Sequence, residues 1–224
     1  MTIIINEIIR SARKSITLTI TSDGRLVVKA PLGTSDSLIK QLVEQKKTWI
    51  EEKKLLMQTR RAKYKVKQFI DGGEFLYLGK SYLLNFSWQA SKVGLDGKYL
   101  NVPEAVRDQA KKYIIGWYKE EAKKVLNERV KFFALQEGIA YQKVKITSAS
   151  RRWGSCSSKG NLNFTWKLVM TPLDIIDYVV VHELCHLEFL NHSREFWAKV
   201  ERIMPDYKLK QKWLADNQPI LEIL

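Results

Sequence analysis

Polar and apolar residues alternate from Ser15 to Ile20, break at Asp23-Gly24 and resume from Arg25 to Ala30, which predicts a β-hairpin over residues 14–30. Beyond Pro31 and Gly33 the period lengthens. Leu38, Leu42, Val43, Trp49, Ile50 and Leu55 recur at helical spacing behind a Ser35 or Asp36 cap, predicting one helix that runs to about Gln58. The Arg60 to Lys67 segment has no apolar face and reads as a connection ending near Asp71-Gly72-Gly73. Short strands follow at Glu74 to Leu78, Ser81 to Trp88 and Tyr99 to Val102, with Gly79-Lys80 and Asp96-Gly97 as turns. An antiparallel sheet packed by one helix is the economical reading of this β-rich stretch.

Pro103, at a first helical position, opens a long helix to about Gln136 that Gly138 closes. Its apolar stripe is Ile114, Trp117, Tyr118, Val125, Val130 and Phe133. Lys143 to Ser148 and Asn161 to Leu168 read as strands, separated by a turn-rich stretch from Arg151 to Gly160. Thr171 and Pro172 then start a helix in which Ile175, Ile176, Val179, Val180 and Leu184 demand burial. The expected organisation is α+β: an antiparallel β-rich unit with one helix over 1–102, then a catalytic unit over 103–224, or one continuous domain.

That buried helix also carries His182, Glu183 and His186, and burying such groups costs free energy unless something compensates them. A metal ion would compensate them. The segment is the H-E-x-x-H pattern, in which imidazoles at i and i+4 share one helix face and can grip one ion while Glu183 stands where it can take a proton from an activated water. His192 follows six residues on, and these are the three histidines of the whole chain. The expected ligands are therefore His182, His186 and His192, the expected ion is Zn2+, and Glu183 is the expected general base. The spacing equals that of the metzincin H-E-x-x-H-x-x-G-x-x-H motif, but Phe189 stands at the glycine position. Asn191 in a left-handed conformation, followed by a Ser193 cap, would turn the chain instead.

Around the motif, Arg152, or its neighbour Arg151, could stabilise anionic charge or grip an anionic substrate. Cys156 could approach the metal, though a small residue in a turn explains it more simply. Cys185 is expected in the core, and Trp153, Trp166 and Trp197 as packing around the site.

Composition changes the picture in one respect. The formal net charge is +14, and six basic residues with no acidic one lie between Lys143 and Lys167, directly before the histidine helix. Such a surface favours anionic partners, a nucleotide or nucleic acid among them. No apolar run is long enough to cross a membrane, the start is too interrupted for a signal peptide, and two cysteines without a C-x-x-C pair suggest no disulfide framework, so a cytoplasmic location is expected.

Arg152-Trp153-Gly154-Ser155-Cys156, Tyr178 to His186, and Asn191-His192-Ser193 with Phe196-Trp197 together resemble the YgjP-like metallopeptidase-domain family, related to SprT-like and other zincin peptidases. The resemblance implies a zincin-like catalytic domain, zinc on His182, His186 and His192, a catalytic Glu183, and a peptide or protein substrate. The alternatives are a metal-dependent phosphohydrolase acting on nucleotides and a nucleic-acid-associated protein or peptidase. The first lacks a phosphate-cradling glycine loop, and only charge supports the second.

Overall fold

Residues 26–31 form the spine of the first sheet. Strand β3 (Leu26–Pro31) pairs in parallel with β1 (Glu7–Ser11) on one side and antiparallel with β2 (Thr17–Ile20) on the other, with Val28 opposite Ile8 and Leu18. The β2–β3 hairpin is the expected one. Strand β1 was not anticipated, since it shows no alternation of burial and takes its place only through a parallel pairing with a strand far along the chain. In the computed structural model the described residues are 3–21, 24–63, 69–218 and 220, the side chains of 60–63 excepted. Part of the expected Arg60 to Lys67 connection lies outside them; its first residues belong to a helix.

Two helices stand where one was expected. Helix α1 (Asp36–Gln45) is capped by the Ser35 hydroxyl, which accepts from the Leu38 N–H, and it ends at Lys46 before α2 (Lys47–Lys63) begins. The break re-phases the apolar face. Ile39, Val43 and Ile50 pack with Leu26, Val28 and Ala30, while Leu38, Trp49 and Leu55 of the expected stripe are exposed.

The chain divides into two compact units, Met1–Lys65 and Val66–Leu224. The strands of 74–103 fall in the second, so the break precedes the expected one near residue 102. Local bonds explain their allegiance. The Tyr118 hydroxyl, on the long helix, donates to Leu76 O at 2.7 Å, the Tyr77 hydroxyl donates to Glu121 at 2.9 Å, and the Leu78 N–H donates to Val169 O at 2.7 Å. The sheet they tie down has the order β4 (Glu74–Tyr77), β5 (Lys80–Ser87), β7 (Tyr99–Pro103), β6 (Gly94–Asp96), and β5 runs parallel to β7. It is mixed, where an antiparallel sheet was expected.

A 3-10 turn over Glu104–Gln109 precedes α3 (Ala110–Glu137), so Pro103 starts a 3-10 segment and not the α-helix itself. Gly138 ends α3 in the left-handed conformation, φ 65°, as expected. Ile114, Tyr118, Ala122, Leu126 and Val130 recur at four-residue spacing and are fully buried. A third sheet has the order β8 (Lys143–Thr147), β10 (Asn161–Thr165), β9 (Gly154–Cys156). Strand β9 lies inside the stretch read as turns. After β10 a buried 3-10 segment, Trp166–Met170, replaces the end of the expected strand. Helices α4 (Leu173–Cys185), α5 (Arg194–Ile203) and α6 (Tyr207–Asp216) complete an α+β fold. Among the described residues no helix is long and apolar enough to cross a membrane.

Helix α4 is fixed from three directions. Arg129 of α3 donates to both Asp177 oxygens, at 2.6 and 2.9 Å, and Lys210 of α6 donates to Asp174 at 3.0 Å. At its start, Pro172 packs on the turn between β4 and β5, where Leu78 and Gly79 have φ of 47° and 77°. A Cβ on Gly79 would meet Pro172 Cγ at 2.8 Å and Cα at 3.0 Å. Gly79→Ala therefore combines left-handed strain with a clash against the base of α4. It is expected to lower unfolding free energy by about 2 kcal/mol or more in urea denaturation; an unchanged midpoint would show that the turn yields freely.

Candidate metal centre

The last turn of α4 aligns two imidazoles. His182 lies within the helix and His186 is its C-cap, with φ −68° and ψ −14°. The backbone keeps winding beyond the cap. Leu187 N–H donates to Leu184 O, and Glu188 and Phe189 N–H donate to Cys185 O. No glycine is needed at Phe189, and Asn191 does not take the expected left-handed conformation, since Leu78 is the one described non-glycine residue with positive φ. Ser193 caps α5 by accepting from the Phe196 N–H, as expected. His192, just before that cap, returns towards the end of α4.

The three rings converge through Nε2. His182 Nε2 lies 3.2 Å from His186 Nε2 and 3.1 Å from His192 Nε2, and all three ligand atoms fall within 4.8 Å of one another. Nitrogens bound tetrahedrally to one zinc ion at about 2.0–2.1 Å stand roughly 3.3 Å apart, so the donor set fits such an ion. Two of the rings are held towards the neutral form. Burial, reinforced by His186 and His192, pushes His182 down to about 3, and burial lowers His192 as well, which leaves lone pairs free at neutral pH. His186 Nδ1 donates to Phe189 O at 3.0 Å, which turns its Nε2 towards the other two rings. His182 Nδ1 is buried without a hydrogen-bond partner among the described residues.

Aromatic rings hold the histidines in place. Phe196 contacts all three, with ring centroids at 4.6–5.0 Å, and Trp197 stacks on His192 on one side and on Tyr207 of α6 on the other. Trp197 and Trp153 are packing residues at the site, as expected; the Trp153 indole donates to Gln218 at 3.2 Å. Trp166 instead stacks on Tyr118 in the core.

Glu183 is 5% exposed and lies against the backbone of β9. A Cβ on Gly154 would fall 2.6 Å from Glu183 Oε1 and 2.7 Å from its Cγ, so the contact requires glycine. Sequence reading gave Gly154 no role; a lone glycine between Trp153 and Ser155 is a faint signal of close approach, and which group approaches is a tertiary matter. Burial pushes the carboxyl up to about 8, while Arg152 pulls it back down. Arg151 and Arg152 are both exposed, and Arg152 is the one whose field reaches Glu183. Cys156 is half-buried, and burial and the Glu183 charge raise its thiol, so it is held as a neutral SH group outside the histidine cluster. Cys185 is fully buried in the core, as expected.

The raised carboxyl ties stability to pH. In the metal-free protein the folded state holds the Glu183 proton more tightly than a chain with the ordinary value of 4.5, so this contribution is present at low pH and lost as pH rises towards about 8. Against metal-free Glu183→Gln, the metal-free parent is expected to lose denaturation midpoint between pH 5 and 9. Parallel curves for the two proteins would exclude a buried carboxyl of raised pKa.

The chain matches the family described as YgjP-like, metallopeptidase domain, over residues 14–217. Among solved structures it is similar to the crystal structure of the metallopeptidase zymogen of Pyrococcus abyssi abylysin, at 23% identity and a TM-score of 0.33, over 46% of this chain and 95% of that one. No protein of curated function matches it. With the family match covering nearly its whole length, this chain belongs to the YgjP-like metallopeptidase-domain family.

Proposed function

We propose that the chain is a cytoplasmic zinc-dependent peptidase in which His182, His186 and His192 hold the ion through Nε2 and Glu183 is the general base. The observation that carries this reading is the convergence of three imidazole nitrogens, two from the end of α4 and one from the segment before α5, with the buried Glu183 carboxyl on the same turn of α4. Zinc bound there would acidify a water and polarise the carbonyl to be attacked.

The chain's own groups do the rest. Phe196 and Trp197 fix the imidazole planes, and the Phe189 carbonyl fixes the tautomer of His186. Glu183 is held by Gly154 on a short tether. A carboxyl raised by burial and lowered again by nearby positive charge titrates close to neutrality, which suits a group that must first accept a proton from water and then return it to the leaving amine. Arg152, at the lip, contributes to that lowering.

Glu183→Gln is expected to retain one zinc per chain and to reduce casein hydrolysis by about 10²-fold or more. Full activity in that variant would remove Glu183 from the mechanism. Nucleoside triphosphates assayed in parallel address the phosphohydrolase alternative: their Glu183-dependent hydrolysis, with casein untouched, would overturn the peptidase reading. Gly154→Ala should likewise keep the zinc but cost more than about tenfold in turnover, because the new methyl group displaces the carboxyl and leaves the histidines where they are. Zinc loss in Gly154→Ala would instead place the effect on the ligands.

A further inference from the structure

Two cavities open at opposite ends of β9, one bordered by Gly154, which packs on Glu183, and the other by His186. One, of about 210 Å³, is lined at the start of the strand by Trp153, Gly154 and Ser155, with Asn163, Thr165 and Arg152. It shares Gly154 with the Glu183 carboxyl. The other, of about 280 Å³, is lined beyond the end of the strand by Ser157, Ser158 and Lys159, with Gln142, Leu187 and His186. It shares His186 with the histidine cluster.

Their linings have one feature in common. Each contains a single side chain of formal charge, and in both it is a cation: Arg152 in the first, Lys159 in the second. No aspartate or glutamate lines either cavity, and among the described residues neither cation makes an ion pair. The remaining polar groups, hydroxyls and amides, can donate hydrogen bonds to a carboxylate. An extended polypeptide laid along β9, past Glu183 and His186, would run towards one cavity at each end.

Resting on the peptidase reading, we propose that this site selects acidic polypeptide segments, carrying aspartate or glutamate on both sides of the scissile bond, with Arg152 and Lys159 as the two specificity-determining residues. The arrangement suits two discrete carboxylates better than a nucleic-acid backbone. Within the two linings the cations stand singly, one at each end of β9. Two of the aromatic rings nearby are also unavailable to bases, Trp153 being buried and Trp197 stacked on His192 and Tyr207, and Tyr141 in the second cavity is half-buried.

The test uses the zinc-loaded full chain carrying Glu183→Gln, so that binding is read without turnover. Fluorescent peptides share one core and carry glutamate, glutamine or lysine on both flanks, and their anisotropy is followed at low and high salt. The glutamate peptide is expected to bind about fivefold or more tighter than the glutamine peptide, the lysine peptide most weakly, with the gap closing in high salt. Adding Lys159→Glu should erase the preference on one flank, and Lys159→Arg should retain it. Equal binding of the three peptides, or a preference indifferent to Lys159→Glu, overturns the proposal. So does a single-stranded oligonucleotide that binds as tightly as the glutamate peptide and depends on Lys159 to the same degree, since nucleic acid would then be the recognised class. Cleavage by the parent protein separates the two readings. Acidic peptides that bind selectively and are never cut count against the peptidase alone, whereas peptides cut without regard to flanking charge count against the selectivity alone.

Discussion

Glu183 is a carboxyl that α4 carries into an apolar interior, and the rest of the site depends on that burial being tolerated. Nine of the thirteen residues of α4 are buried. Apart from Asp174 and Asp177, which are ion-paired, the helix is apolar up to Val181. Beyond it Glu183 faces β9, while His182 and His186 face His192 beside the α5 cap. Gly154 is what allows the carboxyl to pack against the strand, and a Cβ there would displace the Glu183 side chain. The closeness raises the carboxyl's proton affinity, and Arg152 limits how far it rises.

The positions of the three histidines follow from different kinds of restraint. His182 and His186 are aligned by helical periodicity alone, which is why their relation is legible from the sequence. His192 is aligned by tertiary packing: the Ser193 cap sets where α5 starts, and Phe196 and Trp197, on the first turn of that helix, hold the ring. Behind Trp197 stands Tyr207, so α6 contributes to the third position as well.

That difference between local and non-local causes also marks what was legible elsewhere. The β2–β3 hairpin, strands β4, β5 and β7, the Gly138 stop and the Ser193 cap are set by a few adjacent residues, and the sequence shows them directly. What escaped it depends on distant partners. Strand β1 and the parallel β5–β7 pairing need strands that meet only in the fold, and the inward face of α1 and α2 is decided by a break at Lys46 that helical spacing alone does not reveal. The strands of 74–103 look N-terminal by order but bond to α3 and to Val169. At the site, the histidine pattern was plain while the role of Gly154 was not, because a glycine's importance lies in what packs against it.

The placement of His192 outside α4 has a mechanical consequence. With zinc seated as proposed, the ion would join the end of α4 to the start of α5 and close the eleven-residue span from His182 to His192 into a ring. An ion that binds this folded arrangement and not the unfolded chain stabilises the fold, and its contribution grows with free ion concentration. The same three bonds that make the centre reactive would then make it a buckle, so that the fold around the cleft tightens and loosens with the zinc supply.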